Sequence, residues 1–120
     1  MPLYANAPYD YLRMEGDFIF TAGACPLDES GQVVAPGDLY AQALRAVENL
    51  IAALATAGVD ADALLKTTIY VASSDRSDLA RVWQAVAPHL GRAPSTLLGV
   101  AVLGYPDQLV EIEAVARAER

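Results

Sequence analysis

The sharpest alternation of apolar and polar positions lies near the end of the chain. From Leu109 to Ala116, one side of an extended backbone takes Leu109, Glu111, Glu113 and Val115, and the other takes Val110, Ile112, Ala114 and Ala116. The spacing predicts a strand with one buried face and two carboxylates on the opposite one. The run before it, Ser95 to Leu103, is apolar on both sides and predicts a neighbouring strand buried on both faces. Asp17-Phe18-Ile19-Phe20-Thr21-Ala22 reads as a third strand with residues 10–15 as its hairpin partner, and Leu65 to Ala72 as a further one by β-branched content. Two helices complete the pattern. In the first, Leu39, Ala43, Val47, Leu50 and Leu54 share a stripe, and Gln42, Arg45, Glu48 and Asn49 are expected on the solvent side. Pro36-Gly37-Asp38 marks its entry and Gly58 its stop. The second carries Leu79, Val82, Trp83, Val86 and Leu90, with cap candidates from Ser73 to Ser77 and an end or kink at Pro88.

The order is therefore β-β-α-β-α-β-β. Helices with one apolar stripe each must pack on one face of a sheet, which gives an α+β fold with a mixed sheet of four to six strands. The opposite face is then left open. Each large apolar side chain stranded there forfeits ~1.5–3 kcal/mol, so self-association into a closed homo-oligomer is expected. Residues 1–120 read as one domain without repeat or linker.

Composition narrows the function classes. The net charge is −7 and Lys66 is the only lysine, which argues against binding a nucleic-acid backbone. The single cysteine, Cys25, rules out an intrachain disulfide framework and agrees with a cytoplasmic address. No apolar run reaches the ~18 residues of a membrane span, and Met1-Pro2-Leu3-Tyr4 lacks the basic and apolar regions of a signal peptide. One histidine, His89, and one cysteine fall short of a usual metal-ligand set, so no metal is expected.

Several short motifs then fall in a recognisable order. They are Pro8-Tyr9, Phe18 to Gly23 with Pro26-Leu27-Asp28, Gln42 through Glu48-Asn49-Leu50, Lys66 to Val71, and Val110 to Ala116. Together, from about residue 4 to residue 117, they resemble the Rid (YjgF, reactive intermediate deaminase) family. The resemblance implies a chorismate-mutase-like (ferredoxin-like) α+β fold, a homotrimer around a central barrel, and small-molecule clefts between subunits. Active members hydrolyse enamines and imines to a carbonyl compound and ammonia without metal or cofactor.

The resemblance also implies site residues. Glu111 matches the glutamate that positions the hydrolytic water, a task a carboxylate can perform as acceptor and general base. Its bland alternative is a pore-lining strand residue, the reading favoured for Glu113. Tyr9 matches the family tyrosine at the cleft, with an ordinary rim residue as its plain alternative. Gly23 could offer a backbone N–H to a ligand or simply mark a bulge or turn. Ser95 and Thr96 could donate to a substrate carboxylate, weakly without an arginine. Pro94 stands where active deaminases carry an arginine for the substrate carboxylate, with Arg92 two residues earlier, and Trp83 stands where they often carry asparagine. Core packing is the plainer reading of Trp83. Cys25 borders the cleft, either as a nucleophilic thiol or as a small apolar filler. Three function classes follow: a metal-free imine or enamine hydrolase, a non-catalytic binding or sensing trimer that uses the same cleft, and a nuclease or translation-inhibiting activity attributed to the family, which the acidic charge and single lysine argue against.

Overall fold

The computed structural model describes residues 2–118. A short hairpin opens it, β1 (Leu12–Glu15) and β2 (Phe18–Thr21), followed by helix α1 (Leu39–Ala55). Strand β3 (Leu64–Val71), helix α2 (Arg76–Val86), and strands β4 (Ser95–Gly99) and β5 (Val110–Arg117) complete it. The strands lie side by side in the order β1-β2-β5-β3-β4. Only β3 and β4 run parallel, joined across α2, and the other pairs are antiparallel. This is the expected α+β arrangement, with both helices on one face of a mixed sheet.

Local chemistry explains the helix ends. The Asp38 carboxylate caps α1 by accepting the Ala41 N–H at 3.0 Å, and Asp75 caps α2 through the Ser77 N–H at 2.9 Å. Gly58 takes φ +77° just past α1, a conformation that suits a residue without Cβ. After α2 the chain tightens into a 3-10 turn at Ala87–His89, where Pro88 cannot continue the α-helical ladder. The core lies between helices and sheet. Val47, Leu50 and Leu54 of α1 and Val82 and Val86 of α2 pack with Ile19, Ile69, Val71, Val110 and Ile112 of the sheet. Val110, Ile112, Ala114 and Ala116 are buried as their alternation requires.

Three expectations need correction. The doubly buried strand next to β5 is not found. The run from Ser95 forms a strand only as far as Gly99, at the sheet edge beside β3, and Leu98 and Val102 are exposed. An apolar run tells of faces that avoid water, not of which chain covers them. Trp83 is 39% exposed and does not join the core. Gln42 and Asn49 are buried, not solvent-facing, because loops cross α1 there and their backbone groups need partners. Gln42 Nε2 donates to Asp107 O at 2.9 Å while its Oε1 accepts from Leu109 N at 2.8 Å. Asn49 Nδ2 donates to Cys25 O and Leu27 O, both at 2.9 Å.

The second face of the sheet carries Phe18, Phe20, Tyr70 and Leu98 beside Glu111 and Glu113, and both phenylalanines and Leu98 are exposed. Strand β3 holds an extra residue, Leu65, at a bulge between Leu64 and Lys66. Among the described residues no helix is long and apolar enough to cross a membrane.

Replacing Gln42 with Leu keeps the volume but strands two buried backbone groups. The expected loss is about 2–4 kcal/mol, read as a lower midpoint in urea unfolding.

Candidate functional site

The site begins where the β2–β5 ladder breaks. Phe20 pairs with Val115, and the next bridge joins Ala24 to Ile112, so β2's side carries one residue more than β5 in between. Such a bulge re-aims side chains and frees backbone from the ladder. The Ala114 N–H, which would lose its partner there, is taken by the Thr21 hydroxyl at 2.9 Å. Pairing then resumes through Ala24 N to Ile112 O at 2.6 Å and Ile112 N to Ala24 O at 3.1 Å. Gly23 is thereby laid against the Glu111 side chain. A Cβ at this position would overlap Glu111 Oε2, so only glycine allows the carboxylate to lie there.

A second loop closes over the same carboxylate. Tyr105-Pro106-Asp107-Gln108 is a tight turn, with Gln108 N bonded to Tyr105 O at 3.1 Å and Asp107 at φ +65°. Proline followed by a residue of positive φ is the pattern of a type II turn, and an aspartate tolerates that φ better than most side chains. The turn sends Gln108 inward, where Nε2 reaches Glu111 Oε1 at 3.1 Å, and it brings the Tyr105 hydroxyl within 3.3 Å of the Tyr9 hydroxyl. Tyr9 rests edge-on against Tyr11, with ring centres 5.9 Å apart. Tyr9, Gly23, Cys25, Tyr105 and Glu111 line a cavity of about 280 Å³.

Electrostatics assigns the protons. Cys25 Sγ lies 3.3 Å from Glu111 Oε1, and burial, reinforced by that negative charge, pushes its pKa up to about 12. The thiol is therefore a donor to the carboxylate at neutral pH and not a nucleophile. Burial, and next the bond to Tyr105, hold the Tyr9 pKa well above the usual phenol value, so Tyr9 keeps its proton. Among the described residues no group of three or more His, Cys, Asp or Glu side chains could hold a metal ion. A larger hollow of about 610 Å³ beside Ser73, Asp75 and Gly99 lacks comparable chemistry. Its Asp75 is committed to the α2 cap, and its Ser73 hydroxyl donates to Asp78 at 2.7 Å.

Of the residues singled out from sequence, one chain brings together Tyr9, Gly23, Cys25 and Glu111. It does not bring Trp83, Pro94, Ser95 or Thr96 to this cavity. Pro94 O accepts from Thr67 N at 2.9 Å, the Ser95 hydroxyl lies 2.5 Å from that of Thr67, and Lys66 Nζ donates to Thr96 at 2.7 Å. Arg92 is exposed just before β4, and Glu113 lies exposed on the open face. Tyr105 and Gln108 were not anticipated. The signal was available in Pro106-Asp107, a turn pair immediately before the β5 alternation.

Two outcomes follow from this geometry. Cys25 should resist alkylation at neutral pH in the folded protein and react promptly once urea unfolds it. Gly23→Ala should displace Glu111 and cost about 1–3 kcal/mol, measured by urea unfolding.

Known proteins share this fold and much of this sequence. The sequence profile of the endoribonuclease L-PSP family matches residues 2–118. A RutC family protein of Pyrococcus abyssi is 35% identical over 114 residues, covering 93% of this chain and 87% of its own. The crystal structure of the YjgF gene product from E. coli superposes with a TM-score of 0.81 at 29% identity, covering 98% of this chain and 93% of the other. E. coli TdcF, solved with bound serine, gives 0.81 at 27% identity over 98% and 93% of the two chains. On the match of almost its whole length and on these likenesses, the chain belongs to the endoribonuclease L-PSP family, the YjgF and RutC group whose motifs its sequence carries.

Proposed function

We propose that this protein hydrolyses a small imine or enamine to a carbonyl compound and ammonia, in a cleft completed by neighbouring copies within a trimer. The observation that carries the reading is the Glu111 carboxylate, held at the wall of a cavity beside two tyrosine hydroxyls. Glu111 accepts a proton from a water as the water oxygen bonds to the imine carbon. The proton passes to nitrogen and leaves a carbinolamine. Its hydroxyl proton then moves, again through Glu111, to the same nitrogen as the C–N bond breaks, so that the carbonyl forms and ammonia leaves. An enamine first takes a proton at carbon to become the imine. Tyr9, as a neutral phenol, can donate to the substrate, and Gly23 leaves room for the Glu111 carboxylate at the cavity wall. The volume suits a ligand the size of an amino acid, and the related TdcF holds serine.

The trimer answers the open sheet face. Phe18, Phe20 and Leu98 lie uncovered there, each worth ~1.5–3 kcal/mol if buried against another copy. The same assembly offers a route by which β4, with Ser95 and Thr96, could border the Glu111 cavity of a neighbour. Pro94 in place of arginine shifts the substrate away from simple carboxylate-bearing imines, since no guanidinium stands at that position to grip a carboxylate.

The decisive experiment follows ammonia release from a panel of freshly generated imines, carboxylate-bearing and neutral. Hydrolysis of at least one member is expected, with a loss of about 100-fold or more in Glu111→Gln. Silence across the panel, in folded protein that still binds small ligands, would replace the hydrolytic reading with a sensing one. Pro94→Arg should raise the rate on carboxylate-bearing members. Sedimentation equilibrium should give a trimer at micromolar concentration, and a monomer there would remove the shared cleft.

A further inference from the structure

We infer that Gln108 and Cys25 are positioning residues for Glu111, which together hold one carboxylate oxygen so that the other is presented beside Gly23 at the cavity wall. The inference rests on the hydrolytic reading above, in which that carboxylate must meet a water.

Gln108 is the firmer half of the pair. It is only 4% exposed, and every polar position of its carboxamide is used. Its oxygen accepts from Tyr105 N at 3.0 Å, and its Nε2 serves Val110 O and Glu111 Oε1, both at 3.1 Å. These contacts also settle its orientation. With nitrogen and oxygen exchanged, an acceptor would face the Val110 carbonyl and the Glu111 carboxylate, and a donor would face the Tyr105 N–H. All three contacts would become repulsive.

Cys25 supplies the second donor to the same oxygen, at 3.3 Å, from a thiol that burial keeps protonated. Gly23 O also lies 3.5 Å from the sulfur, and the nearer, charged carboxylate oxygen is the stronger acceptor for its one proton. Cys25 hangs on α1, because Asn49 grips the Cys25 carbonyl at 2.9 Å. Gln108 is tied to α1 as well, through the Gln42 bonds to Asp107 O and Leu109 N on either side of it. Oε1 is thus held from two loops anchored on one helix, while Oε2 rests over Gly23, where any Cβ would displace it. A catalytic carboxylate must be held within about half an ångström of its working place, and two fixed donors on one oxygen achieve that.

A merely structural role, closing the Tyr105–Gln108 turn, makes different predictions. Gln108→Met, similar in length but without either function, should lower kcat about tenfold with KM changed less than about threefold. Cys25→Ala should act in the same direction, and Cys25→Ser, which restores a donor, should recover most of the loss. A readout free of substrate comes from the infrared S–H stretch, which belongs to Cys25 alone because the chain has one cysteine. In the unaltered protein the band should lie low, drawn down by the carboxylate, and in Glu111→Gln it should move up. Gln108→Met should broaden the band and move it up part of the way, as the carboxylate loses its fixed place. A band that shifts in Glu111→Gln but is untouched by Gln108→Met overturns the inference for Gln108. A band unmoved by either overturns it for both residues. Should Gln108→Met fail to fold, Gln108→Asn, which keeps a neutral amide but one methylene short of Glu111, reads the same band with the same expected and overturning outcomes. Because the band needs no imine, a failure of ammonia release would overturn the hydrolytic reading and leave this one decided separately.

Discussion

Two buried amides on one helix hold the cavity together. Gln42 and Asn49 stand seven residues apart, two turns along the same side of α1, and each grips a different loop. Asn49 takes the loop that carries Gly23 and Cys25, and Gln42 takes the turn that carries Tyr105 and Gln108. Apolar packing along Ala43, Ala46, Val47 and Leu50 supplies cohesion but tolerates small slides of helix over sheet. Hydrogen bonds to five specific backbone groups, Ala35 O among them, do not tolerate such slides. The polar contacts thus set the placement that the apolar ones make strong, and the position of Glu111's neighbours follows from the register of α1.

Much of the fold was legible because its faces differ chemically. Strand β5 alternates between apolar and mixed positions, and its buried side is the one its sequence shows. Strand β4 was misread because both its sides are apolar, and its exposed side carries Leu98 although nothing in one chain covers it. The solvent assignment of Gln42 and Asn49 failed for a related reason. A glutamine on a helix reads as outward unless one knows that a loop crosses above it, and that is a fact of tertiary structure. Around the site, Tyr9, Gly23, Cys25 and Glu111 were legible through the family resemblance. Gln108 was not, since Pro106-Asp107 signals the turn beside it but not the three hydrogen bonds that its side chain makes.

The recognisable motif residues divide into two groups on the sheet. Glu111 and Gly23 lie at the β2–β5 side, whereas Ser95 and Thr96 lie on β4, beyond β3. One intervening strand separates β5 from β4 by roughly 10 Å, and the register adds to that, since Glu111 is level with Leu98 and not with Ser95. Within one chain the two groups therefore do not meet, and a pocket using both is a property of the trimer proposed above and not of a single copy.

The bulge at Leu65 bears on the shape of that contact. Leu64 and Thr67 are both buried although three positions apart, which strict alternation forbids and one surplus residue permits. Excising Leu65 would leave every later side chain of β3 on its present face, so the surplus is not needed to sort inside from outside. Its effect is on curvature, since a bulge coils the sheet locally. In the trimer proposed above, a coiled face suits successive copies turning about an axis, as staves close a cask, better than a single copy stacked like a card on a card. The surplus residue at Leu65 thus bears on the shape that the open face offers.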